Sequence, residues 1–160
     1  MLDPVQLRLE IVRPVLQSIG MWSYASENLV VGTAIQESTY MDGSKTMLKQ
    51  MGKGPALGIC QMEPGTHDWL INDWLMHRPA LLVKIHEWSV SMSAGEMTWN
   101  MAYAVAMCRV RYYTDAQPLP AADDLMGLAN YWKRVYNTVE GKGRPMEFIT
   151  KYQRFGSHNV

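Results

Sequence analysis

Residues 34–38 read Ala-Ile-Gln-Glu-Ser, and residues 57–64 read Leu-Gly-Ile-Cys-Gln-Met-Glu-Pro. The first stretch predicts the end of a helix, because apolar residues recur before it at helical spacing and Ser26 is a residue type that caps helix N-termini. The second stretch predicts a turn, since Gly58 allows a left-handed backbone and the proline ends the segment. Together they predict a mainly helical fold in which Glu37 ends a helix beside a glycine-containing turn.

The predicted position of Glu37 favours a protonated carboxyl group. The negative end of a helix and an apolar wall both raise the pKa of a carboxylic acid. Such a group can donate a proton near neutral pH. Gln61 adds a neutral amide that both donates and accepts hydrogen bonds, which suits a sugar hydroxyl or amide. The alternative is that Glu37 is a solvated surface residue, as most helical glutamates are.

The same residues resemble a known family. Ala-Ile-Gln-Glu-Ser at 34–38 and Gly-Ile-Cys-Gln-Met-Glu-Pro-Gly-Thr at 58–66 resemble the first two motifs of soluble lytic transglycosylases and goose-type lysozymes. The match is specific over residues 30–68 and suggestive over residues 98–145, and the approach to the second motif looks like that of a bacteriophage peptidoglycan hydrolase. The resemblance implies a lysozyme-like helical single domain over residues 1–160, with a short hairpin or a loop beside the cleft.

The resemblance also implies a mechanism with one carboxyl group. Glu37 would protonate the glycosidic oxygen between N-acetylmuramic acid and N-acetylglucosamine, and then deprotonate the attacking hydroxyl. A C6 hydroxyl of the sugar gives a 1,6-anhydro product, whereas water gives a lysozyme; Asp42 could position that water or simply form a turn. The expected substrate contacts are Ser38, Gly58, Gln61, Met62, Glu63, Asn100, Tyr103, Tyr131 and Tyr136.

Several of these roles have structural alternatives. Ser38 orients Glu37 or satisfies the helix C-terminus, and Gln61 binds substrate or braces the loop. Glu63 lies on the cleft wall or points to solvent. The fourth family motif, Ala-x-Tyr-Asn-Ala-Gly, is not matched exactly. The spacing from the preceding family motif favours Tyr131 as its tyrosine, whereas the match of Tyr136-Asn137 to the Tyr-Asn of the motif favours Tyr136.

Helical periodicity extends over most of the chain, and strand patterns are weak. Residues 39–57 are the exception, because they fit either a short hairpin or a loop with a helical turn. The first predicted helix begins at Pro4 with a bend or break at Pro14, the second follows a Ser26 cap, and the third follows a Thr66 cap. The next two begin at Pro79 and at Thr98, the latter continuing from Trp99 to Tyr113. The last two are predicted from Leu125 to Tyr136, after a cap at Asp123 or Asp124, and from Pro145 to Arg154.

The balance of charges limits the classes of partner. The 160 residues carry 15 basic and 15 acidic side chains, which argues against a nucleic-acid-binding protein. A local basic excess over residues 133–154 is a solvated face or an aid to adhesion to anionic cell wall. We predict no cofactor and no metal site, since the histidines lack the spacing of three or four residues that places two ligands on one helical face.

Cys60 and Cys108 lie in apolar stretches, so we predict free, buried thiols rather than a disulfide framework. The first ten residues lack the features of a signal peptide, and no segment resembles a membrane span. Together with the resemblance to phage peptidoglycan hydrolases, these features imply a monomer made in the host cytoplasm that reaches peptidoglycan through a phage holin or is carried in the virion. A phage structural or glycan-binding protein that has lost catalysis is the non-enzymatic alternative.

Overall fold

The computed structural model describes residues 2–156, and helices carry most of them. Four of the seven helices contain one wide π-helical segment that continues directly from an α-helical one. The helices are α1 (Pro4–Gln6, Leu7–Val12 and Arg13–Ser18), α2 (Tyr24–Ser38), α3 (Pro64–Trp69, Leu70–Trp74 and Leu75–His77), α4 (Pro79–His86), α5 (Met101–Tyr113), α6 (Leu125–Trp132 and Lys133–Asn137) and α7 (Pro145–Lys151 and Tyr152–Gly156), with a 3₁₀ helix at Ala94–Thr98.

Helix α2 lies at the centre of the molecule. It contacts α1, α5, α6 and α7, and most of its side chains are buried, including those of Val30 and Ile35. Gly32 permits the approach of α7, because a Cβ there would lie 2.3 Å from the ring of Phe148. Helix α5 is also buried along most of its length, so the two helices share one hydrophobic core, and α2 carries Glu37 at its C-terminal end.

A buried ionic cluster attaches α1 to α2. The Glu27 side chain is fully buried and accepts hydrogen bonds at 2.8 Å from Arg8 and from the Nε of Arg13. The indole N–H of Trp22 donates a further bond of 2.7 Å to the same carboxylate. Every oxygen of Glu27 is therefore paired, and the N-terminal half of α2 has a fixed position relative to α1.

The helix boundaries correct three predictions. Ser23 caps α2, and Ser26 instead completes a capping box: the Oγ of Ser23 accepts from the Ser26 N–H at 3.0 Å, and the Oγ of Ser26 accepts from the Ser23 N–H at 2.8 Å. Helix α3 begins at Pro64 rather than after a Thr66 cap, because proline is well suited to the first turn. Asn100 caps α5, so this helix starts at Met101.

Two other predictions are decided by the structure. Asp124, not Asp123, caps α6 by accepting from the Gly127 N–H at 2.8 Å. Pro14 does not break α1 into separate helices, because the backbone stays helical from Pro4 to Ser18. The π-helical segment Leu7–Val12 lies immediately before it, where a wider turn accommodates the carbonyl that an internal proline would otherwise meet.

The segment between α2 and α3 is a folded loop with isolated β-bridges. Thr39 pairs with Thr46, and Leu57 pairs with both Lys49 and Met62. Within residues 2–156 these bridges are not extended into strands, and the segment contains no helical turn, so the expected hairpin is reduced to single pairs. No helix in that same part of the chain combines the length and the apolar character needed to cross a membrane.

Candidate active site

A cleft of about 540 Å³ lies at the C-terminal end of α2. Its walls contain Glu37 from α2, Gln61 from the loop and Tyr136 from α6. The other lining residues are mostly polar: Met47, Gln50, Ala56, Met62, Glu63, Thr66, Arg111, Asn137, Thr138, Gly141 and Lys142. The two motifs therefore meet at one concave surface, as the sequence predicts.

Glu37 is partly buried, and one of its oxygens has a fixed partner. The indole N–H of Trp132 donates a hydrogen bond of 2.8 Å to its Oε1. Burial raises the pKa of Glu37 to about 7, against the opposing effects of the Trp132 hydrogen bond and the positive charges of Lys151 and Lys133. Near neutral pH the carboxyl group is thus divided between its two protonation states, which suits a group that must both donate and accept a proton.

Two lysines near Glu37 hold the backbone of the site. The buried Nζ of Lys151 donates to the carbonyl oxygens of Gln36 at 2.8 Å and Thr39 at 2.6 Å, which satisfies the C-terminal end of α2. The Nζ of Lys133 donates to Asn137 Oδ1 at 2.8 Å and to the Gly141 carbonyl at 2.7 Å. These two lysines of the predicted basic run therefore form hydrogen bonds within the protein and are not part of a solvated face.

The loop motif is held by unusual backbone geometry. Gly58 has φ +74° and Gln61 has φ +48°. The Gly58 carbonyl accepts from both the backbone N–H of Gln61 at 3.0 Å and its side-chain Nε2 at 2.7 Å. Gln61 therefore braces the loop while it lines the cleft, and its Oε1 makes no hydrogen bond with residues 2–156.

Five predicted contacts lie outside the lining of the cleft. Ser38 is buried, and its hydroxyl donates to the Ala34 carbonyl at 2.7 Å, so it satisfies the helix end rather than orienting Glu37. Gly58 packs against the backbone of Met97. Asn100, Tyr103 and Tyr131 make up the other three, and each has an internal partner.

These three side chains support the surrounding helices. Asn100 donates to Glu96 at 2.7 Å as well as capping α5. The hydroxyl of Tyr103 lies 2.7 Å from His67 Nε2 in the core. Tyr131 is also buried, and its hydroxyl donates to the carbonyl of Gln117 at 3.1 Å. The expectation of direct substrate contact is therefore replaced, for all five residues, by a structural role.

Between the two candidate tyrosines, the structure places Tyr136 at the cleft. Its hydroxyl donates to the Cys60 carbonyl at 2.9 Å, and its ring stacks on that of Tyr112 with centroids 5.3 Å apart. Tyr136 thus holds the loop motif against α6. Met62 and Glu63 also line the cleft as predicted.

The remaining candidate groups are accounted for by their surroundings. Cys60 and Cys108 are free and buried, as predicted, and a hydrogen bond with Cys108, together with burial, raises the pKa of the Cys60 thiol. A thiol with a raised pKa is a poor nucleophile. Asp42 is exposed and accepts from the Ser44 N–H at 2.8 Å, which matches the turn interpretation. Residues 2–156 contain no group of three or more His, Cys, Asp or Glu placed to hold a metal ion.

Several residues at the site were not predicted as contacts, among them Trp132, which bonds Glu37, and the lining residues Arg111, Asn137 and Lys142. Trp132 is the last residue before α6 changes to π-helical geometry at Lys133. Regular helical spacing from Tyr136 therefore does not identify it. Arg111 comes from α5, and nothing in its local sequence marks it. Lys142 comes from the loop after α6 and was noted only as part of the basic run over residues 133–154.

Replacing Trp132 with Phe is expected to raise the pKa of Glu37 by about one unit, because the lost hydrogen bond stabilises the carboxylate. Titration of the Glu37 side-chain carboxyl by ¹³C NMR measures this shift. Trp88→Phe is the matched control, since Trp88 donates its indole N–H to Ser18 at 2.8 Å and does not line the cleft. An unchanged Glu37 pKa in Trp132→Phe would contradict the proposed hydrogen bond.

Replacing Gly58 with Ala is expected to destabilise the protein by about 2–4 kcal/mol, because the left-handed backbone and a steric overlap act together. The new Cβ would lie 2.4 Å from the Met97 carbonyl oxygen. Gly52→Ala is the control for backbone conformation, since Gly52 has φ +80° and nothing within 4 Å of an added Cβ. Urea denaturation should show the larger loss for Gly58→Ala, and equal losses would mean that the Met97 contact is unimportant.

No protein-family model, no curated protein and no solved structure matches the chain. The lysozyme-like assignment therefore rests on the resemblance of the two motifs.

Proposed function

We propose that the protein is a peptidoglycan-degrading enzyme with a lysozyme-like fold, which cleaves the β-1,4 bond between N-acetylmuramic acid and N-acetylglucosamine. The observation that carries the proposal is Glu37 itself: a partly buried carboxyl group in a polar cleft, with a pKa raised to about 7 by burial. The substrate is inferred from the resemblance of residues 34–38 and 58–66 to the transglycosylase motifs.

Protonated Glu37 donates its proton to the glycosidic oxygen as the bond from that oxygen to the anomeric carbon breaks. The N-acetyl group of the substrate assists at the anomeric carbon, so no second catalytic carboxylate is required. The Glu37 carboxylate then removes the proton of the attacking hydroxyl, which returns the side chain to its starting state. A pKa near the working pH serves both steps, because neither protonation state is strongly disfavoured.

Gln61 and Tyr136 are the best-supported groups for holding the sugar. Gln61 has an unbonded Oε1 at the cleft and a backbone fixed by Gly58. Tyr136 and Asn137, from α6, also line the cleft. An aromatic ring and amide groups are the side chains that bind sugar faces and N-acetyl groups.

The product depends on which hydroxyl attacks. We propose attack by the C6 hydroxyl of the sugar, which makes the enzyme a lytic transglycosylase that forms a 1,6-anhydro product. Hydrolysis is the second candidate, and the specific observation in its favour is Glu63, a second carboxylate in the lining of the cleft. Glu63 could position a water molecule, as the second carboxylate of inverting glycosidases does.

We further propose that the enzyme acts as a monomer on glycan strands of the bacterial cell wall. It would be made in the cytoplasm of the host of a bacteriophage, and would reach the wall through a holin or as part of the virion. The non-enzymatic alternative, a structural or glycan-binding protein, predicts binding to peptidoglycan without release of fragments.

Mass spectrometry of muropeptides released from purified peptidoglycan tests the proposal. Products lighter by one water than hydrolytic ones are the expected result, and reducing-end sugars would instead indicate a lysozyme. Glu63→Gln separates the two, because it should abolish hydrolysis but leave formation of the anhydro sugar largely intact. Absence of any soluble product, with the protein bound to the sedimented wall, would overturn catalysis and favour the binding role.

A further inference from the structure

A second cavity, also of about 540 Å³, lies where the end of α1, the start of α4 and the end of α5 come together. We call it the basic groove; its cationic side chains are Arg78, Lys84 and Arg109, and its apolar ones include Ile19, Leu81 and Tyr113. It shares no lining residue with the cleft of Glu37. The peptidoglycan proposal gives the basic groove no role.

The lining of the basic groove carries three positive charges and no carboxylate. Arg78 donates to the Trp74 carbonyl at 2.9 Å, and its guanidinium lies 3.7 Å from the centre of the Trp74 ring. Lys84 is exposed. None of the three cations forms an ion pair with another residue of the described chain. The groove therefore has an uncompensated positive potential, which attracts anions.

Arg109 is the most informative of the three cations because it is buried. Its exposed fraction is 8%, and its only hydrogen bond within residues 2–156 runs from Nε to the Met21 carbonyl at a long 3.4 Å. Its Nη1 is buried without any hydrogen-bond partner. A buried guanidinium without a counter-charge is costly, and buried polar groups in proteins are nearly always paired.

The surroundings of Arg109 direct it to the basic groove. Its guanidinium lies 5.6 Å from the centre of the Tyr113 ring, and both Tyr113 and its acceptor Met21 line the same cavity. Helix α4 also begins there at Pro79, and no side chain caps that N-terminus. The partial positive charge of a helix N-terminus adds to that of the cations.

We propose that the basic groove binds an amphiphilic anion, namely a phosphate monoester with a short alkyl chain. The phosphate would accept hydrogen bonds from Arg109 and Arg78, and Lys84 would add charge. The chain would lie against Ile19 and Leu81. A cavity of this size is within the range of small-molecule sites, which are mostly apolar with a few convergent polar groups.

Isothermal titration calorimetry with monohexyl phosphate tests this site. We expect it to bind at least ~10-fold more tightly than inorganic phosphate, because the alkyl chain buries apolar surface, and hexanol to give no measurable binding. Arg109→Met should weaken binding by at least ~10-fold while keeping the buried aliphatic volume. Lys84→Met, an exposed change that cannot disturb the core, should weaken it by about 3-fold or more.

Lys53→Met is the control, since it removes one exposed charge outside the basic groove and should leave binding unchanged. Equal affinity for monohexyl and inorganic phosphate would overturn the amphiphilic ligand. Equal affinity of Lys84→Met and the unmodified protein for monohexyl phosphate would overturn the site, as would the absence of binding. Sedimentation with anionic phospholipid vesicles, without binding of the free monoester, would overturn the small-molecule ligand and assign the groove to a lipid surface.

Discussion

Replacing Glu37 with Gln is expected to reduce the release of muropeptides by at least ~10³-fold, because the amide can neither donate the proton to the glycosidic oxygen nor accept one afterwards. The amide has nearly the same shape as the carboxyl group, and its oxygen can still accept the hydrogen bond from Trp132. Binding of glycan strands should therefore be retained. Mass spectrometry of the released products and co-sedimentation with intact wall measure the two properties separately.

The same substitution is expected to stabilise the protein at pH 8. A carboxyl group whose folded-state pKa is about 7, above its ordinary value of 4.5, binds its proton more tightly in the folded state. Its favourable effect on folding is complete below pH 4.5 and is lost as the pH rises to 7. Glutamine does not titrate, so Glu37→Gln should be more stable by about 1–2 kcal/mol at pH 8, after allowing for water in the cleft.

Thermal unfolding at pH 4 and at pH 8 tests this expectation. The unfolding temperature of Glu37→Gln should exceed that of the unmodified protein at pH 8 but not at pH 4. Glu63→Gln is the control, since Glu63 lines the same cleft and the substitution makes the same chemical change. A Glu37→Gln protein that still releases fragments would remove Glu37 from the proposed mechanism. A loss of activity with no gain in stability at pH 8 would instead mean that burial does not disfavour the ionised form of the Glu37 carboxyl group.

The backbone of the two motifs could be predicted from the sequence because it depends on residues that are close together in the chain. The periodicity that ends at Glu37 and the glycine and proline of residues 57–64 determine the backbone without reference to distant residues. Even the misplaced cap of α2 has a local cause, since Ser23 and Ser26 bond each other reciprocally and either serine satisfies the pattern.

The partners of Glu37 could not be read in this way. Trp132, the donor to its carboxylate, is separated from it by 95 residues, and Lys151 reaches the end of α2 from a distance of 115 residues. Such pairs depend on how whole helices pack. The pKa of Glu37 was predictable in direction, because burial beside an apolar wall was inferred from periodicity, but the opposing contributions were not.

The choice between Tyr131 and Tyr136 stayed open because spacing favoured the first residue and the wording of the motif favoured the second. The sequence did not show that α6 changes to π-helical geometry at Lys133. The wider turn alters which residues share a face. Tyr131 faces the segment of Gln117, and Tyr136 faces the loop motif at Cys60. Cys60 is 76 residues from Tyr136 in the sequence, so local sequence does not identify this contact.

Replacing Glu27 with Gln is expected to lower the free energy of unfolding by about 3–5 kcal/mol, since it leaves the buried Arg8 without a balancing charge. Burial by itself raises the pKa of Glu27, but hydrogen bonds from two arginines and from Trp22 outweigh it and hold the pKa below its ordinary value. The stabilisation is thus present at neutral pH and is lost as the pH falls through the lowered pKa. Urea denaturation at pH 7 should show the full difference in the free energy of unfolding between Glu27→Gln and the unmodified protein, and this difference should become smaller at acidic pH.

Glu10→Gln is the control, because Glu10 is exposed on α1 and the substitution removes the same charge. If Glu27→Gln lowers the free energy of unfolding by less than about 1 kcal/mol, the desolvation penalty of the buried charges offsets the stabilisation from their pairing. The outcome bears on the cleft as well. Helix α2 is fixed at one end by Glu27 and at the other by Lys151, so loosening the first attachment should also displace Glu37 from Trp132, and the pKa of Glu37 would report that movement.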